Sequence, residues 1–119
     1  VSKDCIFLST HEPCSLCLSA ITWSGFDNFY YFFPYEETKD KFNIPHDLNI
    51  LKEIFNIKGG NYNQINKYWT SFSILDEIKK LSTNDQILLD NQINEIYRNY
   101  SNLSNQYQLI KENNNIPLN

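Results

Sequence analysis

The distribution of apolar and polar residues over the first 33 positions predicts a strand, a helix and a second strand. Residues 5–9 form a short apolar run rich in β-favouring side chains, and residues 27–33 form a strongly aromatic one. Between them, residues 14–24 predict a helix that packs through Leu16, Ala20, Ile21 and Trp23. Pro13 suits the first turn of this helix, and Gly25 suits the left-handed position beyond its end. We therefore predict a βαβ unit with parallel strands and a right-handed crossover.

The rest of the chain has mainly helical patterning. Residues 36–42 predict a short helix or turn, and Asp47 is a candidate N-cap for a helix over 48–57 that Gly59 and Gly60 end. A polar loop follows, and residues 68–81 repeat apolar side chains at helical spacing. These patterns divide the chain into a βαβ-containing part, a loop and a helical C-terminal extension, with the bounds 1–58, 59–67 and 68–119.

The last predicted helix has the longest series of regularly spaced apolar residues in the chain. Its apolar positions step alternately by four and three residues, which is a heptad seam, through Leu89, Ile93, Ile96, Tyr100, Leu103, Tyr107 and Ile110. Thr83 and Asn84 are the candidate caps at its start. An amphipathic helix that covers the sheet and a dimer-forming coiled coil both fit this pattern. We favour the covering helix, because only about three heptads are present.

Length, charge and cysteine content limit the number of domains and the classes of function that the chain can have. The chain has 119 residues and a net charge of −4, which suits one domain and argues against broad electrostatic binding of nucleic acid. No apolar run approaches the ~20 residues of a membrane span, and residues 1–9 lack the plan of a secretory signal. Three cysteines without an export signal favour metal or redox chemistry over disulfides. We therefore expect a cytoplasmic protein.

Cys14 and Cys17 form the motif that carries chemistry. Side chains three residues apart share one helix face, and the first turn of a helix favours thiolates through its free N–H groups and dipole. Thiolates at a helix start after a strand suit Zn²⁺. A thioredoxin-like redox pair, a structural zinc knuckle and two inert core cysteines are the competing interpretations. The pair has Ser15 and Leu16 between its cysteines rather than Gly-Pro, and Cys5, His11 and His46 do not make a second ligand pair.

The segment from Glu12 to Trp23 carries a family resemblance. It reads Glu-Pro-Cys-Ser-Leu-Cys-Leu-Ser-Ala-Ile-Thr-Trp, which resembles the Pro-Cys-x-x-Cys half of the zinc signature of cytidine-deaminase-like proteins. Guanine deaminases are the most similar branch, followed by tRNA adenosine deaminases. The resemblance covers roughly residues 5–48. It implies the three-layer α/β fold of that superfamily, here incomplete, with additional C-terminal helices.

The resemblance also implies a chemistry. Cys14 and Cys17 would be two of three protein ligands to a catalytic Zn²⁺, which would lower the pKa of a bound water to ~7 for attack on the ring carbon that bears an amine. The backbone N–H of Cys14 would help to hold the developing charge. Trp23 matches a tryptophan that lines the substrate pocket, with core packing as the alternative. Asp47 matches a carboxylate that reads purine N–H groups, although the helix cap is the interpretation we favour for it.

The family also needs an upstream His-x-Glu, which this chain lacks. Glu12 stands in the usual position before Pro-Cys, where we expect a carboxylate favoured by the helix dipole and not a proton shuttle. The chain has no Met. We therefore expect a fragment of a larger zinc-dependent deaminase that alone lacks activity and binds zinc weakly.

Several substrates and partners stay open at this point. Guanine is the favoured substrate among nucleobases and nucleosides because of Leu18, Ala20 and Trp23. A tRNA substrate is possible, although the acidic charge disfavours it. The family is usually dimeric, so a homodimer is possible. The alternative function is a non-catalytic zinc-binding or partner-binding module.

Overall fold

A computed structural model of the chain describes residues 1–118. Eight main elements follow one another as β1 (Leu8–His11), α1 (Ser15–Trp23), β2 (Asn28–Phe33), α2 (Tyr35–Asp40), α3 (His46–Phe55), β3 (Thr70–Ser73), α4 (Ile74–Lys79) and α5 (Thr83–Ile110). Short 3-10 segments lie at Ser2–Asp4, Lys58–Gly60 and Lys111–Asn113. The protein is therefore a mixed α/β chain. No helix in the described part is both long and apolar enough to cross a bilayer.

The sheet has three parallel strands in the order β1-β2-β3. The predicted βαβ unit is confirmed, since β1 and β2 are parallel and α1 connects them. The first strand begins later than the predicted residue 5. The side chain of Asn28 explains this shift, because it accepts the N–H of Phe7 at 3.2 Å and donates to the carbonyl of Cys5 at 3.0 Å. The N–H of Phe7 and the carbonyl of Cys5 are therefore bound by a side chain, and only the carbonyl of Phe7 accepts a backbone N–H of β2, from Tyr30 at 2.8 Å.

The ends of α1 refine the prediction for this helix. Cys14 is its N-cap residue, so Pro13 lies one residue before the cap and not in the first turn. Gly25 adopts a φ of +78° just beyond the C-cap, as predicted. Only Ile21 of the four predicted packing residues is buried, while Leu16, Ala20 and Trp23 are exposed. The helix therefore presents an apolar stripe to solvent.

The prediction of a helix over residues 68–81 is wrong for its first half. Residues 70–73 form β3, which pairs with β2 from Asn28↔Thr70 to Tyr31↔Ser73, and the helix α4 begins only at Ile74. The Ser73 hydroxyl caps α4 by accepting the N–H of Asp76. Pairing with β2 thus overrides the local helical spacing of this segment.

The helix after residue 45 also differs in its ends. It begins at His46 behind the N-cap Pro45, so the predicted N-cap role of Asp47 is wrong and Asp47 lies in the first turn. It ends before Asn56, which takes the left-handed conformation with a φ of 56°. The predicted stop at Gly59 and Gly60 is therefore a few residues late, because Asn also tolerates this conformation.

Each face of the sheet is covered by helices. Alternate residues of β2 point to opposite sides as far as Phe32, whereas Phe33, the last residue of the strand, packs on the same side as Phe32. Phe29 and Tyr31 pack in a first apolar cluster with Ile21 of α1 and Leu51 of α3. A second cluster forms around Phe32, Phe33 and Phe42, and it is covered by residues of α4 and α5, namely Ile74, Leu75, Ile93, Ile96, Tyr97 and Tyr100.

The long helix α5 covers the second cluster. This confirms the favoured interpretation of its apolar pattern for the middle of the helix. Ser82 caps the helix by accepting the N–H of Asp85, so the predicted caps Thr83 and Asn84 are one and two residues too late. The predicted seam residues Leu103 and Ile110 are exposed, which shows that the contact with the sheet is limited to part of the seam.

Candidate metal site

Cys14 and Cys17 lie together at the start of α1, directly after the carboxyl end of β1. Their sulfur atoms are 3.4 Å apart, and the backbone N–H of Cys17 donates to the sulfur of Cys14 at 3.4 Å. Cys14 is partly exposed and Cys17 is exposed. As the N-cap residue, Cys14 also keeps its own N–H outside the hydrogen-bond ladder of the helix. The two thiols are therefore close together and accessible.

The sulfur spacing fits a metal that takes two thiolates. Tetrahedral Zn²⁺ with Zn–S bonds of about 2.3 Å holds two sulfur atoms about 3.8 Å apart. The observed separation of 3.4 Å is close to this value. In residues 1–118, however, no group of three or more His, Cys, Asp or Glu side chains converges in a way that could hold a metal ion. Within these residues, Cys14 and Cys17 could supply two sulfur ligands to Zn²⁺, and no third side chain of these types converges on them.

The electrostatics of the pair differ from the prediction that a helix start favours both thiolates. The hydrogen bond with Cys14 raises the pKa of the Cys17 thiol, burial and the charge of Cys14 add to this shift, and the carboxylate of Asp47 contributes in the same direction. A backbone hydrogen bond from Cys14 acts in the opposite direction and lowers the pKa of Cys17, but it does not cancel the raising contributions. At Cys17, the effect of the neighbouring sulfur on the pKa is therefore larger than the lowering effect of the helix start. A bound cation would offset the repulsion between two thiolates.

Asp47 lies on the same side of the molecule as the thiols. It belongs to the first turn of α3, which packs beside α1, and its charge acts on both Cys17 and Tyr35. Burial raises the pKa of Asp47, and the neighbouring charge of His46 partly offsets this shift. A half-buried carboxylate whose charge reaches the thiol pair could accept hydrogen bonds from N–H donors of a ligand.

Trp23 lies at the opposite end of α1. It is 89% exposed and lines a shallow depression with Thr22 and Tyr68. Core packing, the alternative interpretation of this residue, is therefore wrong. It lies six positions after Cys17, which corresponds to about 9 Å along the helix axis. The charge of Asp47 thus acts on Cys17, whereas Trp23 lies at the far end of the helix.

His11 is directed into the second apolar cluster and not toward the thiols. Its ring contacts the rings of Phe33, Phe42 and Tyr100, and its Nδ1 lies 2.9 Å from the hydroxyl of Thr38. Burial lowers the pKa of this imidazole. These contacts give His11 a packing role, in agreement with the expectation that it does not replace the missing histidine ligand.

Glu12 is the site-adjacent residue whose surroundings the sequence did not predict. Its side chain is only 5% exposed and is hydrogen-bonded by Tyr35 and Tyr62. The carboxylate of Glu12 therefore lies at the start of α2. The sequence had instead predicted that it is stabilised by the dipole at the start of α1. The two tyrosines are 23 and 50 residues away along the chain, and no local motif signals such contacts.

Comparisons of this chain with protein-family models, with curated proteins and with solved structures find no match. The deaminase resemblance of residues 5–48 therefore stays a prediction that rests on the motif and its placement.

Proposed function

We propose that this chain supplies the two-thiolate half of a zinc-dependent deaminase that acts on a nucleobase or nucleoside, with guanine as the favoured substrate. The observation that carries the proposal is the pair of accessible thiols 3.4 Å apart at the start of a helix that follows a parallel strand. Zn²⁺, when bound there, would activate water for hydrolytic loss of ammonia. The remaining ligand and a proton-transferring carboxylate would come from a His-x-Glu segment outside these 119 residues.

The residues of this chain have distinct parts in the proposal. Cys14 and Cys17 bind the metal, and the backbone N–H of Cys14 donates to negative charge that develops on the substrate. Asp47 accepts hydrogen bonds from N–H groups of the purine ring. Its position near Cys17 and its partial burial support this assignment. Trp23 offers an exposed indole on which a base can stack, at the far end of the same helix.

Metal binding by the chain itself tests the first part of the proposal. We expect weak Zn²⁺ binding in a competition assay with a chromophoric chelator, because two thiolates leave the coordination unfinished. The double variant Cys14→Ser, Cys17→Ser should abolish it, whereas Cys5→Ser should not change it. Unchanged zinc binding in the double variant would rule out the two-thiolate site.

Ammonia release tests the reaction. The 119-residue chain should release none from guanine, tRNA, cytosine or dCMP, and a polypeptide that joins it to an upstream His-x-Glu segment should release ammonia from one of them. Tight stoichiometric zinc together with turnover by the 119-residue chain would contradict the proposed division of the site.

A partner-binding module is the second candidate function. The apolar stripe on α1, formed by Leu16, Ala20 and Trp23, favours it, since Leu16 is 77% exposed and Trp23 more so. Release of ammonia from none of the four substrates by the joined polypeptide would favour this module over the enzyme.

A further inference from the structure

The two residues immediately before Cys14 are anchored to the body of the protein. The backbone N–H of Glu12 donates to the carbonyl of Phe33 at 2.8 Å, which extends the contact between β1 and β2 past the end of β1. Pro13 is buried and has a fixed φ. The chain therefore reaches Cys14 from a rigid edge of the sheet.

The carboxylate of Glu12 is enclosed by hydrogen-bond donors. Oε2 accepts the backbone N–H of Tyr35 at 3.0 Å, and Oε1 accepts the hydroxyl of Tyr62 at 2.8 Å, while Tyr31 is a further hydrogen-bond partner. None of the ion pairs in residues 1–118 includes Glu12. A buried carboxylate without a cation is retained only where such donors satisfy it, so this cluster fixes the side chain closely.

Tyr35 holds both residues of this segment. Its backbone N–H binds the Glu12 carboxylate, and its hydroxyl donates to the carbonyl of Pro13. Its ring is confined in turn by Gly60, where a β-carbon would lie 2.6 Å from the Tyr35 ring. One tyrosine thus connects α2 to the turn from which the Cys14 side chain projects.

We propose that Glu12 and Tyr35 are positioning residues for the Cys14 thiolate, which hold it at the distance from Cys17 that a metal requires. This inference rests on the proposed function, because it assigns an outer shell to the proposed zinc site. Groups that orient metal ligands without touching the metal change metal affinity by about 10–100-fold when they are removed. The same contacts fix the spacing of the two sulfurs in the metal-free chain.

A cobalt titration of the 119-residue chain tests the effect on the metal. Co²⁺ serves as the probe metal in place of Zn²⁺, because its thiolate charge-transfer absorption reports sulfur ligation. Tyr35→Phe removes only the bond to Pro13, and Glu12→Gln keeps the size of the side chain. We expect each variant to bind Co²⁺ about tenfold more weakly and to alter the charge-transfer band. Tyr97→Phe is the matched control, because its hydroxyl bonds to Glu37 on the α5 side of the sheet.

A metal-free measurement separates this inference from the proposed function. In the Cys5→Ser background, Cys14 and Cys17 are equilibrated with glutathione, so that two protein thiols are oxidised to a disulfide while glutathione disulfide is reduced to two thiols. If Tyr35 fixes the sulfur spacing, Tyr35→Phe should change this equilibrium constant about tenfold, because it changes the effective concentration of one thiol at the other. Tyr97→Phe should leave it unchanged.

The outcomes are distinct. A shifted thiol equilibrium without any cobalt binding by the unsubstituted chain would refute the zinc function and retain the positioning of the thiol pair. Equal cobalt affinity, equal spectra and an equal thiol equilibrium in Tyr35→Phe and in the unsubstituted chain, with both folded by circular dichroism, would overturn the inference. Tyr35→Phe leaves the hydrogen bonds to the Glu12 carboxylate in place. This variant therefore tests the inference even if Glu12→Gln does not fold.

Discussion

His11, the last residue of β1, illustrates how packing sets the protonation of a side chain. Its imidazole is enclosed by three aromatic rings and bonded to Thr38, and burial lowers its pKa. The neutral ring therefore contributes stability that is complete above the unfolded pKa of about 6.5. This contribution is lost as the pH falls below 6.5 toward the lower folded-state pKa.

We expect His11→Asn to reduce the pH dependence of stability between pH 7 and pH 5. The folded protein should lose at most about 1.4 kcal/mol per pH unit through this imidazole, and the variant should lack that part of the slope. Urea unfolding at several pH values measures it. His46→Asn, which removes an imidazole from the start of α3, is the control, and equal slopes for His11→Asn and the unsubstituted chain would contradict the assignment.

Gly60 gives a second prediction for a single residue. Its φ is +68°, and a β-carbon there would lie 2.6 Å from the Tyr35 ring and 3.0 Å from Leu48. Gly59 has a similar φ of +63° but only an exposed Asn61 side chain 3.4 Å away. Both Gly→Ala changes carry the cost of the left-handed backbone, so their difference isolates the steric overlap.

We therefore expect Gly60→Ala to lower the free energy of unfolding by about 1–3 kcal/mol more than Gly59→Ala does. Chemical denaturation of the two variants measures this difference. Equal losses would show that the ring of Tyr35 moves aside freely and would weaken its assigned role beside Cys14.

The sequence predicted the surroundings of the two thiols only in part, and the reason is the range of the contacts along the chain. Cys14 and Cys17 are three residues apart and local signals mark their helix, so their proximity at its start was predictable. Glu12, in contrast, is satisfied by Tyr35 and Tyr62, which come from two distant segments. Contacts of this kind depend on the finished fold and leave no periodic trace in the chain.

At the level of elements, β3 shows why local pattern failed. Phe72, Leu75 and Ile78 are spaced by three residues and suggest a helix, but Phe72 faces Tyr30 across the sheet with the two rings stacked 4.6 Å apart. The strand therefore depends on a partner 42 positions earlier in the chain. The βαβ unit was predictable because Gly25 marks the end of its helix and the runs on both sides are strongly β-favouring.

The contact of α5 with the sheet gives the prediction at this scale. Ile96 packs in the second apolar cluster, whereas Leu88 of the same helix is 73% exposed. Because Ile96 is partly buried, Ile96→Ala should lower the free energy of unfolding by about 1–3 kcal/mol. Leu88→Ala should change it by less than about 0.5 kcal/mol. Thermal or urea unfolding measures both, and equal effects would indicate that the exposed part of α5 also packs against something in solution.

The whole molecule is less compact than a domain of its length. Its radius of gyration is 15.8 Å, against about 13.5 Å for 119 residues in an ordinary domain. The 28 residues of α5 span about 42 Å, which accounts for the largest dimension of 44 Å. The sheet that α5 covers has strands of only four to six residues, so the helix extends beyond it.

The strand order has a consequence for where a ligand crevice can form. Parallel α/β sheets bind ligands where neighbouring crossovers leave the sheet toward opposite faces. Here α1 and α3 lie on one face and the described strands follow in the order β1-β2-β3, so the described sheet contains no such divergence. Cys14 follows the outermost strand, β1. A strand added to that free edge, with its own helix on the opposite face, would open a crevice directly at the two thiols.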